Sequence, residues 1–307
     1  MSVIKVDDVS IRYMRGDFRD IGIKDYVIKK LKGNYKITEF WADRHVSFTL
    51  EKGDMLGIIG TNGAGKSTLL KCISGVMRPT EGSVIVEGNV AALLELASGF
   101  DGELTVYENT YLRGAMLGYT REFMDSMYDK IIAFAELEDF QDRPFKQLSS
   151  GMKSRLAFSI ACLVNPDVII LDEVLSVGDG GFKEKSGNKM KEVLSGGVTG
   201  ILVSHTMKQV RELCNKVLWL NKGQQICFSD DVEAVTKAYE EFLITKKVPS
   251  SLEDIEDLAK KNDIRVARIQ NRKKKLEQEK LFKLVETLDE NSLKELQKLV
   301  EEQMQNK

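Results

Sequence analysis

The chain has 307 residues, of which 42% are hydrophobic and 30% charged, so it can bury one or two cores and is not a disordered chain. Its 45 Lys and Arg residues against 47 Asp and Glu residues leave a formal net charge of -2, which argues against nucleic acid as the main partner. Four cysteines lie far apart in apolar stretches, without metal-site spacing or a secretory leader, so reduced, buried thiols in a cytoplasmic protein are expected. No apolar run reaches the roughly 20 residues that span a bilayer.

The first predicted elements are two strands separated by an insertion. The segment VSIRYMR (residues 9–15) has a strand pattern that includes Tyr13, and His45 lies on the solvent face of the second predicted strand. Between them, IGIKDYVIKKLK (residues 21–32) has apolar residues on one side and four lysines elsewhere, which is typical of a short basic amphipathic helix. This pattern leaves two interpretations open, a helix at a membrane surface and a surface helix with solvated lysines.

The most informative stretch is MLGIIGTNGAGKSTLLKCISG (residues 55–75), in which Met55–Ile59 has the pattern of a buried strand that leads into a helix. The loop between them fits the phosphate-binding motif G-x-x-x-x-G-K-[ST] in full. Glycines let successive backbone N–H groups point at phosphate oxygens, and the dipole of the following helix reinforces them. Lys66 is predicted to reach the β- and γ-phosphates and Ser67 to ligate Mg²⁺. The predicted nucleotide-binding residues of the loop are Gly60, Thr61, Asn62, Gly63, Ala64, Gly65, Lys66, Ser67 and Thr68.

Helical patterns then interrupt the alternation of strands and helices, over Leu104–Tyr119 and Glu122–Phe134, and they predict an inserted helical lobe. The stretch LSSGMKSR closes this lobe. Ser149, Ser150 and Gly151 are therefore expected in the first turn of the next helix, with unpaired N–H groups and outward hydroxyls. Capping alone explains one serine, whereas the pair followed by glycine indicates an anion site. Its distance along the chain from the phosphate loop suggests that it serves a partner's nucleotide.

A carboxylate at the end of a neighbouring strand would complete the phosphate site. DVIILDE contains an apolar run, Val168–Leu171, followed by Asp172 and Glu173. Asp172 is predicted to hold Mg²⁺, directly or through water, and Glu173 to act as a general base for the attacking water. His205 follows another buried-strand pattern, GILVS, at the sheet edge where ligands bind, and it is predicted to donate a hydrogen bond to the γ-phosphate.

In this order the motifs resemble those of the ATP-binding cassette (ABC) ATPases, over roughly residues 1–240. In that family two cassettes sandwich two ATP molecules head to tail, and the LSGGQ motif of one cassette clamps the γ-phosphate bound by the other. The resemblance therefore implies that Ser150 and Gly151, with Ser149, act on the partner's nucleotide. It also implies a D-loop contact from Asp179 and an aromatic residue stacked on adenine, for which Tyr13 is favoured and Trp41 is the alternative.

Three stretches, SSGMKSRLAFSIA, LDEVLSVGD and LLELASGFDGELTVYEN, are similar to the subgroup that powers export of teichoic acid, O-antigen or capsular polysaccharides. Glu95 stands where most cassettes have a glutamine, and this substitution also resembles the subgroup. It is predicted to bind at the nucleotide and Mg²⁺. Whether a carboxylate contacts Mg²⁺ and water as the amide does stays open, because it adds charge and loses two donors.

The composition becomes charged and helical from about residue 245. Capping-box patterns at Ser251 with Asp254 and at Ser292 with Glu295 predict two or three short helices, arranged as a hairpin. Between them, RKKKLEQEK (residues 272–280) is either a solvated face or a site for anionic lipid.

Together these patterns predict an α/β P-loop ABC ATPase cassette over residues 1–244, with an antiparallel β edge and a helical subdomain at about residues 104–160, then a charged helical extension over residues 245–307. The expected cofactors are ATP and Mg²⁺. The expected partners are a second copy in a head-to-tail homodimer, a separate transmembrane permease docked on the helical lobe, and a lipid-linked glycopolymer as substrate, with no nucleic acid. The expected location is peripheral, at the cytoplasmic face of the plasma membrane.

One alternative is a soluble ABC ATPase that acts as a nucleotide-gated module outside transport, in translation or DNA maintenance. Such proteins usually carry two cassettes or a cassette interrupted by long coiled coils, and this chain has neither feature. A degenerate ATP-binding scaffold would require the loss of Glu173 or His205, and both are present.

Overall fold

The computed structural model describes residues 2–15, 38–93, 99–172 and 180–286. In these ranges nine strands form one mixed sheet in the order β4-β1-β2-β9-β8-β3-β7-β6-β5. The strands are β1 Ser2–Arg15, β2 Thr38–Glu51, β3 Met55–Ile59, β4 Glu81–Val86, β5 Val90–Ala92, β6 Val168–Asp172, β7 Thr199–Val203, β8 Lys216–Asn221 and β9 Gln224–Ser229. The helices are α1 Lys66–Ile73, α2 Val106–Met116, α3 Arg121–Ala135, α4 Ser150–Leu163, α5 Gly180–Ser195, α6 Met207–Leu213, α7 Val232–Thr245 and α8 Leu252–Glu286.

The sheet has a parallel centre and an antiparallel edge. Strands β5, β6, β7, β3 and β8 pair in parallel, whereas β1 pairs antiparallel with both β2 and β4. The centre is covered on both faces, because Ile169 and Leu171 pack into one hydrophobic core while Val168 and Ile170 pack into another. This is why the strand has a continuous apolar run instead of an alternating one. The predicted cassette architecture with an antiparallel β edge is confirmed.

The two cores lie on opposite faces of the sheet. The larger one packs helices α4 to α8 against the sheet, with Trp219 at 0% exposure beside Tyr239 and Phe242 of α7. The other packs α1 between the sheet centre and strands β1 and β2. The fold therefore has three layers.

A third core belongs to the helical lobe. Helices α2 and α3 match the predicted helical stretches, and both begin at threonine caps. Thr105 forms a complete capping box with Glu108, in which the Glu108 backbone N–H donates to Thr105 Oγ1 at 3.1 Å and the Thr105 backbone N–H donates to Glu108 Oε2 at 2.8 Å. Tyr128 and Ile131 of α3 pack against Leu156 and Ile160 of α4 in this core. The lobe is thus tied to the helix that follows LSSG.

The C-terminal extension differs from its prediction. One unbroken helix of 35 residues, α8, stands where two or three short helices were expected. The sequence of α8 contains no glycine or proline to end a helix. Of the capping box predicted at its start, the cap is present, since the Asp254 backbone N–H donates to Ser251 Oγ at 3.1 Å. The Asp254 carboxylate accepts from the backbone N–H of Ser250 at 3.0 Å, one residue before the position that a capping box requires. The second predicted start, at Ser292, lies outside the described residues.

The first turns of α8 pack antiparallel to α7. Leu258 is buried in the larger core, and Arg265 donates two hydrogen bonds to the buried carboxylate of Glu241, at 2.8 and 2.7 Å. Farther along, Ile269 and Leu276 are exposed. Hence α8 is anchored to the cassette at its start, whereas the described side chains farther along project into solvent. The domain boundary expected at residue 244 stays a prediction, although α7 ends at Thr245.

The four cysteines are free thiols and all are buried, as predicted. They are Cys72, Cys162, Cys214 and Cys227. Burial raises the pKa of each one, to about 11 or about 12. Among the helices of the described ranges, none combines the length and the apolar character that crossing a bilayer requires.

Candidate nucleotide site

The candidate site lies where the parallel strands end. Ile58 of β3 is in register with Val203 of β7, and Val203 is in register with Asp172, the last residue of β6. The loop after β3, the carboxylate stretch after β6 and the histidine after β7 therefore begin at the same edge of the sheet. Parallel α/β sheets bind ligands at this edge.

The loop after β3 wraps around the amino group of Lys66. The Lys66 side chain is buried, and its Nζ donates to the carbonyl oxygens of Gly60 at 2.7 Å and Thr61 at 3.1 Å. The turn between β8 and β9 supports the loop from behind, since the Gly223 N–H donates to the Ala64 carbonyl at 3.0 Å. The ammonium group therefore lies inside the loop that the motif predicts to bind phosphates.

Helix α1 begins at Gly65 without a side-chain cap. Gly65 has φ +110°, a conformation in which a side chain is strained, and a Cβ there would overlap Oδ1 of Asp43. No side chain caps this helix start within the described residues, and the positive end of the helix dipole favours an anionic ligand there.

An open cleft of about 590 Å³ brings many of the predicted residues together. It is lined by Tyr13, Phe40, Ala42, Asn62, Gly63, Ala64, Gly65, Lys66, Ser67, Thr68, Val203 and His205. Its floor combines backbone N–H donors, a hydroxyl and an ammonium group, and its rim carries aromatic rings. This donor set matches a nucleoside phosphate.

His205 reaches the cleft from a tight turn after β7. The Ser204 hydroxyl accepts the Thr206 N–H at 3.0 Å and donates to Gln209 Oε1 at 2.9 Å. These bonds connect the turn to α6 and leave the His205 ring exposed at the cleft. His45, in contrast, is an exposed strand residue that contacts Asp8 at 2.9 Å, as its surface prediction implied.

Two aromatic rings lie at the rim of the cleft. Tyr13 is 41% exposed and is paired across the strands with Phe40. Trp41 is absent from the cleft lining, and its ring packs between the guanidinium groups of Arg12 and Arg44, 5.4 and 5.0 Å from its centroid. The geometry therefore favours Tyr13 over Trp41 for stacking on a base. It adds Phe40, which the sequence reasoning missed although Phe40 lies directly beside Trp41.

The helix start at LSSG lies apart from this cleft, and none of its residues is among the described cleft-lining residues. Ser149 caps α4 by accepting the Met152 N–H at 3.2 Å, whereas Ser150 and Gly151 are exposed. A Cβ on Gly151 would meet nothing nearer than Ser149 Oγ at 3.9 Å. One serine is thus a cap, and the next two residues form an open surface.

Asp43 of β2 is the buried residue that sequence reasoning missed at this site. Its side chain is 0% exposed, packs against Gly65, and has no hydrogen-bond partner for either carboxylate oxygen within the described part of the chain. Burial raises its pKa to about 7. Its inward orientation follows from a bulge, because Val9 pairs with Val46 but Ile11 pairs with Asp43, which leaves one extra residue in β2.

Several predicted residues fall outside this description. Glu95, Glu173 and Asp179 lie outside the described residues, as does the predicted amphipathic helix at residues 21–32, and Asp172 is described only as the end of β6. Their assigned roles stay predictions.

Comparisons with known proteins identify the family. The ABC transporter family matches residues 44–176. The chain is 42% identical over 220 residues to an O-antigen export system ATP-binding protein from Klebsiella pneumoniae, covering 71% of this chain and 89% of that protein. The chain belongs to the ABC transporter family, as the resemblance predicted.

The chain is also similar to longer relatives. It is 39% identical over 257 residues to a teichoic acids export ATP-binding protein from Bacillus anthracis, which covers 84% of this chain but 46% of that protein. A protein of the same description from Listeria innocua is 41% identical over 219 residues, which covers 70% of this chain and 65% of that protein. The chain thus spans about half to two thirds of the length of these curated relatives.

Solved structures show the same fold. An ATP-binding cassette solved as a dimer in a post-hydrolysis state, bound to ADP and Pi, has a TM-score of 0.56 and 22% identity, and the match covers 74% of this chain and 97% of that one. An ATP-binding subunit of an ABC transporter has a TM-score of 0.57 and 20% identity, with coverages of 84% and 99%. The architecture is therefore that of an ATP-binding cassette.

Proposed function

We propose that this chain is the ATP-hydrolysing subunit of an ABC transporter that exports a cell-surface polysaccharide of the teichoic acid, O-antigen or capsular type across the plasma membrane. The observation that carries the proposal is the cleft, where the phosphate loop, Lys66 and His205 meet at one sheet edge. The polysaccharide rests on similarity to proteins described as teichoic acids and O-antigen export ATP-binding proteins.

The residues of the cleft fit ATP with Mg²⁺. The amides at the start of α1 would bind the phosphate oxygens, and Lys66 would leave the carbonyls of Gly60 and Thr61 to neutralise the β- and γ-phosphates. Ser67 and Asp172 would hold Mg²⁺, with Glu95 as a further candidate. When bound, Mg²⁺ neutralises charge that develops on the phosphates. Glu173 would accept a proton from the attacking water.

The exposed start of α4 supports assembly with a second copy. Ser150 and Gly151 carry unpaired helix N–H groups outside the chain's own cleft, so they would complete the site of a partner that faces it head to tail. Asp179 would contribute at the same interface. Each nucleotide would then be held by the phosphate loop of one copy and the serine-glycine turn of the other.

A complementation experiment tests this shared site. Lys66→Ala and Gly151→Asp are each expected to lower ATP hydrolysis by the purified chain by at least about 100-fold. Mixing the two variants in equal amounts is expected to restore up to about a quarter of the wild-type sites, because half of the dimers are mixed and each has one intact site. Mixtures that remain inactive, although crosslinking detects mixed dimers, would contradict the head-to-tail arrangement.

The transport part of the proposal requires a separate membrane permease. The cassette would be peripheral at the cytoplasmic face of the membrane, and closure of the dimer on ATP would drive a lipid-linked glycopolymer through the permease. The test is reconstitution of the chain with its permease in vesicles that contain a lipid-linked polymer. Polymer must leave the cassette side only with ATP, and a Glu173→Gln form must not support it. ATP hydrolysis without any polymer movement would favour a role outside transport.

A further inference from the structure

Asp43 is a buried acid that the proposed mechanism does not use. It lies on β2, directly behind Gly65, and its carboxyl group is completely enclosed. A buried ionised carboxylate without hydrogen bonds is costly, because it loses its hydration and gains nothing in return. Neither oxygen of Asp43 has a hydrogen-bond partner in the described ranges. The neutral, protonated acid is therefore favoured far more than it would be in water.

Asp43 lies close to the part of the cleft where the phosphates of a nucleotide would bind. Gly65 separates Asp43 from the cleft, since it contacts Asp43 on one side and lines the cleft on the other. If Asp43 were ionised, only Gly65 would separate its negative charge from the bound phosphates. Two like charges in such a site raise the free energy of the ionised acid. Nucleotide binding and ionisation of Asp43 therefore oppose each other.

The surroundings offer little to offset that charge. On β1 the residue paired with Asp43 is the apolar Ile11, and on α1 the Cys72 thiol faces it, with a pKa raised to about 11 by burial and then by the charge of Asp43. The Lys66 ammonium is held by loop carbonyls and is directed to the phosphates in the proposed complex. The elements around Asp43 also carry Arg12 on β1, Arg44 and His45 on β2, and Lys222 in the β8–β9 turn. Arg12 and Arg44 lie over the Trp41 ring, His45 contacts Asp8, and Lys222 is exposed.

We infer that Asp43 couples nucleotide binding to proton uptake: the chain binds nucleotide with Asp43 protonated, and affinity falls as pH rises. This inference rests on the proposed nucleotide site. Without nucleotide, burial already raises the pKa of Asp43 to about 7. Bound phosphates raise it further, so uptake is greatest between the free and bound pKa values, just above neutral pH.

Calorimetric titration of the full chain with Mg-ADP, which is not turned over, tests the inference. Titrations in two buffers with different heats of ionisation give the number of protons taken up. The wild type is expected to take up several tenths of a proton more than Asp43→Asn at about pH 7.5. Between about pH 6 and pH 8.5 its affinity is expected to fall about tenfold relative to that variant, as a pKa rise of one unit requires.

The Asn variant keeps the shape of the neutral acid but cannot ionise, and the proton uptake of the nucleotide itself cancels in the comparison. Asp7→Asn, an exposed carboxylate on the neighbouring strand, is the matched control and must behave like the wild type. Equal proton counts in the wild type and Asp43→Asn would overturn the inference. A wild type that does not bind Mg-ADP at all would instead overturn the proposed nucleotide site.

Infrared spectroscopy provides a second readout that does not depend on nucleotide. A protonated-carboxyl band at about pH 6 that disappears in Asp43→Asn and titrates near neutral pH is expected. A band that titrates in the normal aspartate range would contradict the inference even if one variant folded poorly.

Discussion

The N-termini of helices α1 and α4 differ in how their first turns are capped and in how exposed they are. Gly65 precedes α1 without a side-chain cap, has a positive φ that would strain any residue with a side chain, and packs against the buried Asp43. Ser149 caps α4, and Ser150 and Gly151 after it are exposed. The first start is enclosed by its own chain and, in the proposed function, binds that chain's nucleotide. The second is a conventional helix end with an open surface, so in the proposed dimer it acts only when another chain faces it.

The largest expected effect tests the function of the α1 start. Lys66→Ala is expected to reduce ATP hydrolysis by about 10²–10³-fold, because a fixed positive charge on the phosphates is lost. Lys71→Ala, at an exposed lysine five residues along the same helix, should keep wild-type turnover in a steady-state phosphate-release assay. Equal rates for the two variants would remove Lys66 from the reaction.

The buried acid behind α1 gives the next effect, on stability. Because the folded-state pKa of Asp43 is about 7 against an ordinary value of 3.8, the folded protein holds its proton over a range where the unfolded chain has lost it. The contribution of Asp43 is complete below about pH 4 and is lost as pH rises through about 7. Relative to the wild type, Asp43→Asn should therefore gain on the order of 3 kcal/mol of unfolding free energy between these limits. Urea titrations across this range measure it, and parallel profiles would contradict the assigned pKa.

A matched pair of glycine substitutions compares the two starts directly. Gly65→Ala is expected to cost about 2–3 kcal/mol of unfolding free energy, from the positive φ and the overlap with Asp43. Gly151→Ala has room for its methyl group, so the expected change is within about 0.5 kcal/mol. In an Asp43→Ala background the cost of Gly65→Ala should fall, since only the backbone strain remains. No such coupling would mean that the Gly65–Asp43 contact is not a source of strain.

The features that sequence predicted well are those encoded locally. A short glycine pattern determines the geometry of the phosphate loop. Unbroken apolar runs, such as Met55–Ile59, identify strands that are buried on both faces. The cap of α4 also follows from one residue and its neighbours. These signals need no knowledge of distant contacts.

Asp43 and Phe40 required the pairing of distant strands. Because side chains alternate along a strand, counting back from the inward-facing Val46 places Asp43 on the solvent face. A bulge turns Asp43 inward instead, and this bulge depends on how β1 pairs with β2 across the insertion. Phe40 reaches the cleft only because its register partner is Tyr13. The continuous α8 differs from its prediction for another reason: a capping pattern shows where a helix can begin, whereas the length of α8 follows from the absence of glycine and proline within it.

The smallest expected effect separates the roles of the two adjacent serines at the α4 start. Ser149→Ala removes the cap on Met152 and is expected to cost about 1 kcal/mol of unfolding free energy. Ser150→Ala, at an exposed position, should leave stability within about 0.5 kcal/mol while lowering hydrolysis by the dimer. Chemical denaturation and turnover measured on the same preparations distinguish the two effects. A Ser150→Ala variant with full turnover would mean that the second serine does not reach a partner's phosphate, and the α4 start would then be a capped helix end and nothing more.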